Sequence, residues 1–271
     1  MDIKPFDRHA YKETLDHITS YNLNTVCIEA NCPNRYECFA EKTATFMILG
    51  KICTRNCTYC NIQHGQPQPL DNKEPQRILK AIQELKIKHA VITCVTRDDL
   101  EDGGAQEFAK VITAIKTNTK ATVEVLISDL KGNTKALQTI INAKPDIINH
   151  NIEVVKRLFP ELRPEGNYNT SLTLLKTIKT TSIQTKSGMM LGLGETEEEI
   201  KQTLQDLKAA GCTSITLGQY LQPSPSHAEV KKHYTNEEFN KFKAYAKSLG
   251  FIHIESGKLV RSSYHAAMAI T

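Results

Sequence analysis

Along most of this chain the apolar residues fall into two alternating patterns. Short unbroken apolar runs, the mark of buried strands, are separated by segments whose apolar residues recur every three or four positions, the mark of helices with one buried face. The first run covers residues 44–50 and ends at Gly50. Ile78, Leu79, Ile82 and Leu85 then share a helical face, and residues 89–95 form the next run. Phe108, Val111, Ile112 and Ile115 predict a second helix, followed by a strand at 122–127. Leu137, Ile140 and Ile141 mark a third helix before a strand at 146–151, and Leu172, Leu175 and Ile178 a fourth before 184–191. The fifth carries a capping box, Thr196 with Glu199, turns Ile200, Leu204 and Leu207 inward and stops at Gly211. A sixth strand at 213–217 and a closing helix over 235–249, with Phe239 and Phe242 inward, complete the series.

Six strands separated by helices imply a parallel sheet with right-handed crossovers. Curled on itself, such an α/β sheet is a partial (β/α)6 TIM-type barrel, open on one side. Outside the series the pattern changes. Residues 6–21 predict a helix with Phe6, Leu15 and Ile18 toward the core, while residues 25–38, broken by Asn31, Pro33 and Asn34, read as a compact loop. An extended run at 251–254 leads into a polar tail. The expected organisation is an N-terminal extension at 1–43, a barrel body at 44–250 and a C-terminal tail at 251–271, with no linker inside the body. At 271 residues the chain is long enough for one such core.

Composition then removes several function classes. Lysine and arginine number 34 against 30 acidic residues, and a formal charge of +4 is too slight to imply nucleic-acid binding. There is no tryptophan and no basic stripe interleaved with aromatics. No stretch is apolar for long enough to span a membrane, and Met1 to Pro5 opens neither a signal peptide nor a transit peptide, so a cytoplasmic protein is expected. Six of the eight cysteines fall in two tight triplets, which in a reducing compartment suit metal better than disulfides. Cys94 and Cys212 stand alone in apolar runs and read as small buried side chains.

Cys53, Cys57 and Cys60 follow the first strand at a C-x3-C-x2-C spacing, where barrel enzymes keep their chemistry. Three thiolates so spaced can hold an iron–sulfur cluster and leave one iron open to a small molecule bound through an amine and a carboxylate. Structural zinc would ask for four closed ligands, and this stretch offers one triplet with no local partner. The second triplet, Cys27, Cys32 and Cys38, lies upstream. Other candidates sit at strand ends. Asp99, Asp102, Gly103 and Gly104 combine acceptors for an ammonium group with a backbone that a ligand can approach, although a plain polar loop before a helix would look the same. Asn151 and Glu153, two apart, project to one side of an extended chain and can meet a ribose. Arg163 offers a fork for a carboxylate, and His150 reads as a packed neighbour. Gly188, Met190, Gly192, Gly194 and Glu195 form a glycine-rich stretch without the lysine and hydroxyl residue of a phosphate loop. Gln219 opens an irregular loop near the substrate.

With Tyr59 before its last cysteine, the first motif resembles that of the radical S-adenosylmethionine superfamily. The upstream triplet and the run Arg261, Ser262, Ser263, Tyr264 narrow this, and residues 25–264 resemble the lipoyl synthase family. The resemblance implies a six-stranded barrel, S-adenosylmethionine and two 4Fe-4S clusters. Cys53, Cys57 and Cys60 would hold the cluster that cleaves S-adenosylmethionine. Cys27, Cys32, Cys38 and Ser263 would hold an auxiliary cluster that gives up its sulfur. Serine oxygen binds iron less well than thiolate, which suits a cluster meant to be dismantled. Neighbouring serines on an extended chain point opposite ways, so one should face the cluster, and the likeness assigns Ser263. Tyr59, Asp99, Asp102, Gly103, Gly104, Asn151, Glu153, Arg163, Met190 and Gly192 would contact S-adenosylmethionine, Met190 standing where the superfamily pattern usually has isoleucine.

The implied activity is insertion of two sulfur atoms at carbons six and eight of an octanoyl chain on a lysine of a lipoyl carrier protein or domain. Saturated carbons give acid–base catalysis no handle, so the chemistry has to be radical. The implied partners are that carrier, an electron donor such as ferredoxin or flavodoxin, and an iron–sulfur carrier that rebuilds the cluster, with no nucleic acid and no membrane. Two alternatives stay open. Another sulfur-inserting radical enzyme should lack the combination of upstream triplet and serine motif, and a non-catalytic metal-binding scaffold would consume no S-adenosylmethionine.

Overall fold

The computed structural model describes residues 5–269; residues 1–4, on which the reading against a signal peptide drew, lie outside them. Seven strands lie side by side in sequence order, each parallel to its neighbours: β1 (Thr45–Ile48), β2 (His89–Cys94), β3 (Thr122–Leu126), β4 (Ile147–Asn149), β5 (Gln184–Leu191), β6 (Ser214–Gln219) and β7 (His253–Gly257). The crossovers run through α4 (Glu74–Glu84), α5 (Ala105–Asn118), α6 (Thr134–Asn142), α7 (Phe159–Leu162) with α8 (Tyr168–Lys179), α9 (Glu197–Ala209) and α10 (Asn236–Ser248). Right-handed crossovers in one unbroken sequential order put every helix on the same face, so the sheet curls around its other face. Ile78, Ile82, Phe108, Ile112, Ile140, Leu175, Leu204 and Phe239 seal the helix side. In α8 it is Leu174, rather than the expected Leu172, that joins Leu175 and Ile178 in the core. Capping boxes start both α9, as expected, and α10, where Thr235 and Glu238 repeat the device.

The sheet has one strand more than the periodicity predicts. The extended run after α10 continues to Gly257 and pairs with β6 from Ser214↔His253 to Gly218↔Gly257. Its five residues are all partly exposed, so no apolar run announces it. At the other edge the N-terminal extension covers β1, through an isolated bridge Thr25↔Phe46 and a hydrogen bond from Met47 N to Asn24 O at 2.8 Å. An edge covered in this way cannot recruit another strand. Behind α1 (Arg8–Ser20), residues 25–38 are not the loop expected. Thr25 caps a short helix α2 (Val26–Glu29), and α3 (Arg35–Ala40) begins after Asn34. Asn31, at φ 48°, takes the left-handed turn between them, so the breakers separate two helical turns instead of abolishing both.

The inner face of the sheet carries charge at its floor. Lys186 on β5 reaches across β4 to Glu124 on β3, Nζ to the two carboxylate oxygens at 2.9 and 3.1 Å, with both side chains at 1 % exposure or less. Asn149 donates to the same carboxylate at 3.1 Å. Burial opposes the charge on Glu124, yet Lys186 and His89 outweigh it and hold the carboxyl below its ordinary value. Among the described residues no helix is long and apolar enough to cross a membrane.

Candidate active site

The chain leaves β1 through Leu49 and Gly50, both at positive φ, and enters the loop that carries Cys53, Cys57 and Cys60. That loop is fastened to the strand ends around it. Thr54 bonds Thr96 O through both its N–H and its hydroxyl at 3.0 Å, and Thr58 N reaches Leu162 O at 3.1 Å. Arg55 makes two-pronged ion pairs with Asp98 and Asp129. The upstream triplet is built differently, with Cys27 on α2, Cys38 on α3 and Cys32 in the turn between. The tail folds back onto it: Asn34 Nδ2 donates to Leu259 O at 2.7 Å and the Tyr264 hydroxyl meets Glu37 at 3.2 Å.

Between these segments lies a cavity of about 620 Å³, partly open to solvent. Cys27, Cys32, Cys38 and Cys60 line it, and so do Tyr59, Asn151, Glu153, Met190, Ser262 and Ser263. Both serines reach the wall because residues 262–265 form a turn, not the extended chain that would have turned one of them away. Asn151 and Glu153 also lie together for a reason other than the one expected. β4 ends at Asn149, and it is the left-handed Glu153, φ 67°, that turns its carboxylate back to accept from Asn151 Nδ2 at 3.0 Å.

Several expected cofactor contacts are engaged elsewhere. Asp99 is taken by Arg97, whose guanidinium also holds Leu49 O. Asp102 accepts from Gly104 N and Gln106 N at 2.9 and 2.8 Å, so it caps the start of α5. Gly103 and Gly104 serve packing: a Cβ on Gly104 would strike the Leu49 side chain, and one on Gly103 would press on Leu130. Gly192 likewise leaves room for Gln219 and for Lys232 O. None of these five residues lines the cavity. Arg163 stands just behind it, 7 % exposed, donating to Asn151 O and Ile152 O at 3.2 Å. His150 is buried and neutral, pushed down to about 4 by burial and then by Arg163. Its Nδ1 must carry the proton, because it faces Ile127 O at 2.9 Å.

The remaining wall fits small-molecule and cluster ligands. The Asn151 Oδ1 and Arg163 Nε atoms are buried without a hydrogen-bond partner among the described residues, an acceptor and a donor whose desolvation is offset only by a ligand or water. Gly188 lies between Asn151 and β6, where a Cβ would stand 2.5 Å from Thr216 Oγ1 and 2.8 Å from Asn151 Oδ1, so the recess beside Asn151 exists only with glycine there. Burial pushes Cys38 and Cys60 up to about 12, the other thiols of each triplet adding to the effect. Yet among the described residues no three His, Cys, Asp or Glu side chains converge as a single ion requires. Thiolates on one zinc would sit about 3.8 Å apart. Triplets of soft donors that act on one another but are spread more widely fit the corners of an iron–sulfur cluster.

Comparison with known proteins shows the family of the chain. A model of the Radical SAM superfamily matches residues 47–207. Lipoyl synthase of Caldanaerobacter subterraneus subsp. tengcongensis is 53% identical over 92% of this chain and 88% of its own length. That of Alkaliphilus metalliredigens is 53% identical over 93% and 88%. The chain belongs to the lipoyl synthase family. Its fold recurs in methylornithine synthase, which is 12% identical and superposes with a TM-score of 0.61 over 76% of this chain and 62% of that one. In this lipoyl synthase family member Gln219 does open the irregular loop expected after β6, and it pins that loop by accepting from Tyr234 N at 2.9 Å and donating to Lys232 O at 2.9 Å, a role the sequence did not show. Sequence reasoning missed Gly218, where a Cβ would strike Val260 O, so the close approach of the tail to β6 there needs glycine. A glycine at a strand end was the one signal available for that approach.

Proposed function

We propose that this chain inserts two sulfur atoms at carbons six and eight of an octanoyl group carried on a lysine of a lipoyl carrier protein or domain. The observation that carries this reading is that Cys27, Cys32, Cys38 and Ser263 line one cavity with Cys60 and Tyr59. A sulfur donor and the site that activates the carbon must share a space if sulfur is to reach an unactivated carbon. Cys53, Cys57 and Cys60 hold one 4Fe-4S cluster and leave an iron for S-adenosylmethionine; together these supply one-electron cleavage to a carbon radical able to take hydrogen from a saturated chain. The auxiliary cluster on Cys27, Cys32, Cys38 and Ser263 is the sulfur-donating substrate.

The chain's own residues orient and shield. Tyr59, Asn151, Glu153 and Met190 bind S-adenosylmethionine, Asn151 through its unpaired carbonyl oxygen to a ribose hydroxyl. Arg163 sets the backbone of Asn151 and Ile152 and presents its unpaired Nε toward a carboxylate. Gly188 leaves room for the nucleoside. The tail, held by Asn34 and Glu37, closes the auxiliary side against water. Residues 1–43, 44–250 and 251–271 act as auxiliary-site extension, barrel and serine-bearing tail. The octanoyl chain on its carrier reaches the cavity from solvent, a ferredoxin or flavodoxin supplies electrons, an iron–sulfur carrier renews the auxiliary cluster, and the work is cytoplasmic, without membrane or nucleic acid.

The test is iron and sulfide per chain after anaerobic reconstitution. About eight irons, falling to about four when either cysteine triplet is replaced by alanine, is the expected result. Four irons in the parent, all lost with Cys53, Cys57 and Cys60, would leave no sulfur source and end this reading.

A further inference from the structure

Arg55 lies between Cys53 and Cys57, with its side chain only 3 % exposed. Its Nε and Nη2 donate to Asp98 at 2.7 and 3.0 Å, and its Nη1 and Nη2 to Asp129 at 2.9 and 2.6 Å. Asp98 follows the end of β2 and Asp129 the end of β3, so one side chain fastens the loop after β1 to the next two strand ends. A planar fork bonded on two sides fixes rotation as well as position, which a single point charge does not. Lys131 Nζ, 3.8 Å from Asp98, adds the second positive charge that two carboxylates require. Beside the fork, Asp98 N bonds the Thr54 hydroxyl at 3.0 Å. The backbone N–H of Arg55 points at Cys53 Sγ, 3.4 Å away. Hydrogen bonds to ligating sulfur are one of the protein's controls over a cluster's potential. The Arg55 side chain does not line the cavity, so whatever it does for the chemistry it does through the loop.

We propose that Arg55 is a positioning residue for the cluster loop: through Asp98 and Asp129 it holds in place, before metal arrives, the backbone bearing Cys53 and Cys57 and the N–H aimed at Cys53 sulfur. The proposal rests on the reading of Cys53, Cys57 and Cys60 as cluster ligands. Arg55→Lys keeps the charge but reaches one carboxylate, and Asp129→Asn keeps the shape but halves the pairing. Both avoid stranding two buried carboxylates, as Arg55→Ala would.

Two measurements on the full chain decide it. In metal-free protein, amide hydrogen exchange across residues 53–58 should quicken about tenfold or more in both variants while β5 and β6 keep the parent rates. In protein reconstituted with Cys27, Cys32 and Cys38 replaced by alanine, the remaining cluster should show a more negative midpoint potential and a broadened electron paramagnetic resonance signal, because the N–H that steadies the reduced form is no longer held. Parent exchange rates in the loop, faster exchange throughout the barrel, or an unmoved potential would each overturn the proposal. Absence of iron from the Arg55-containing control would instead strike at the ligand reading itself.

Discussion

Replacing Lys186 by Met should destabilise the protein by about 3–5 kcal/mol, the cost of leaving one buried charge without its partner. The estimate follows from the site: the Glu124 carboxylate is fully buried, and with the ammonium gone its nearest remaining partners are Asn149 at 3.1 Å and His89 at 3.6 Å. For a domain of this size that is a drop in Tm on the order of 10 °C. The double variant Lys186→Met with Glu124→Gln removes both charges and keeps an acceptor for Asn149, so it should regain most of the loss. The sign of the pH dependence is also fixed. In the parent, burial opposes charge on Glu124 but Lys186 and His89 hold its carboxyl below the usual range. The pair's contribution is therefore complete above the unfolded carboxylate range and fades as pH falls through the lower folded value. In Lys186→Met only His89 still opposes burial, so that carboxyl is held less low and the gap between variant and parent narrows toward acid. Thermal and urea unfolding of the reconstituted protein, followed by circular dichroism from about pH 3 to about pH 8, measures all of this. A single variant within about 1 kcal/mol of the parent, or a double variant no better than the sum of the singles, would refute the reasoning.

Gly188→Ala places a Cβ 2.5 Å from Thr216 Oγ1 and 2.8 Å from Asn151 Oδ1, and should weaken S-adenosylmethionine binding by about tenfold or more in equilibrium dialysis. Cys57→Ala should abolish release of 5′-deoxyadenosine, whereas Cys32→Ala should keep it and lose sulfur insertion; chromatography of both products separates the cases, and equal loss of cleavage in both would deny the two triplets separate tasks. Thr196→Ala removes the cap at the start of α9 and should cost about 1 kcal/mol in urea unfolding with turnover unchanged.

The strands and helices that bury a face were readable because burial imposes a period, and the Thr196 box because a cap is local in sequence. β7 was not, since its alternating residues stay partly exposed and carry no apolar run. Glu124 and Lys186 interrupt apolar strands like solvated positions; only the curl of the sheet, 62 residues apart along the chain, makes them partners. The same holds for Arg55, whose carboxylates come from 43 and 74 positions away. The cysteine triplets stand out in the sequence because residue types able to ligate metal recur there at short spacing. Asp102, Gly103 and Gly104 are ambiguous in sequence for the opposite reason: acid and glycine before a helix write the same letters whether they cap it and admit Leu49 or cradle a ligand.

The bonds from Asn34 to Leu259 and from Tyr264 to Glu37 join segments 225 and 227 positions apart. On a ribosome adding about 5–20 residues per second, the cysteines of α2, α3 and their turn emerge roughly 10–45 s before the residues that cover them. The barrel can close strand by strand behind them as it is made, since each strand pairs with the one before it. The auxiliary wall has to wait for the segment from Leu259 to Tyr264. Completion of this wall thus requires synthesis to have passed Tyr264, and a chain cut short before Leu259 would keep its sheet up to β7 while lacking both bonds that hold the tail against α3 and the turn before it.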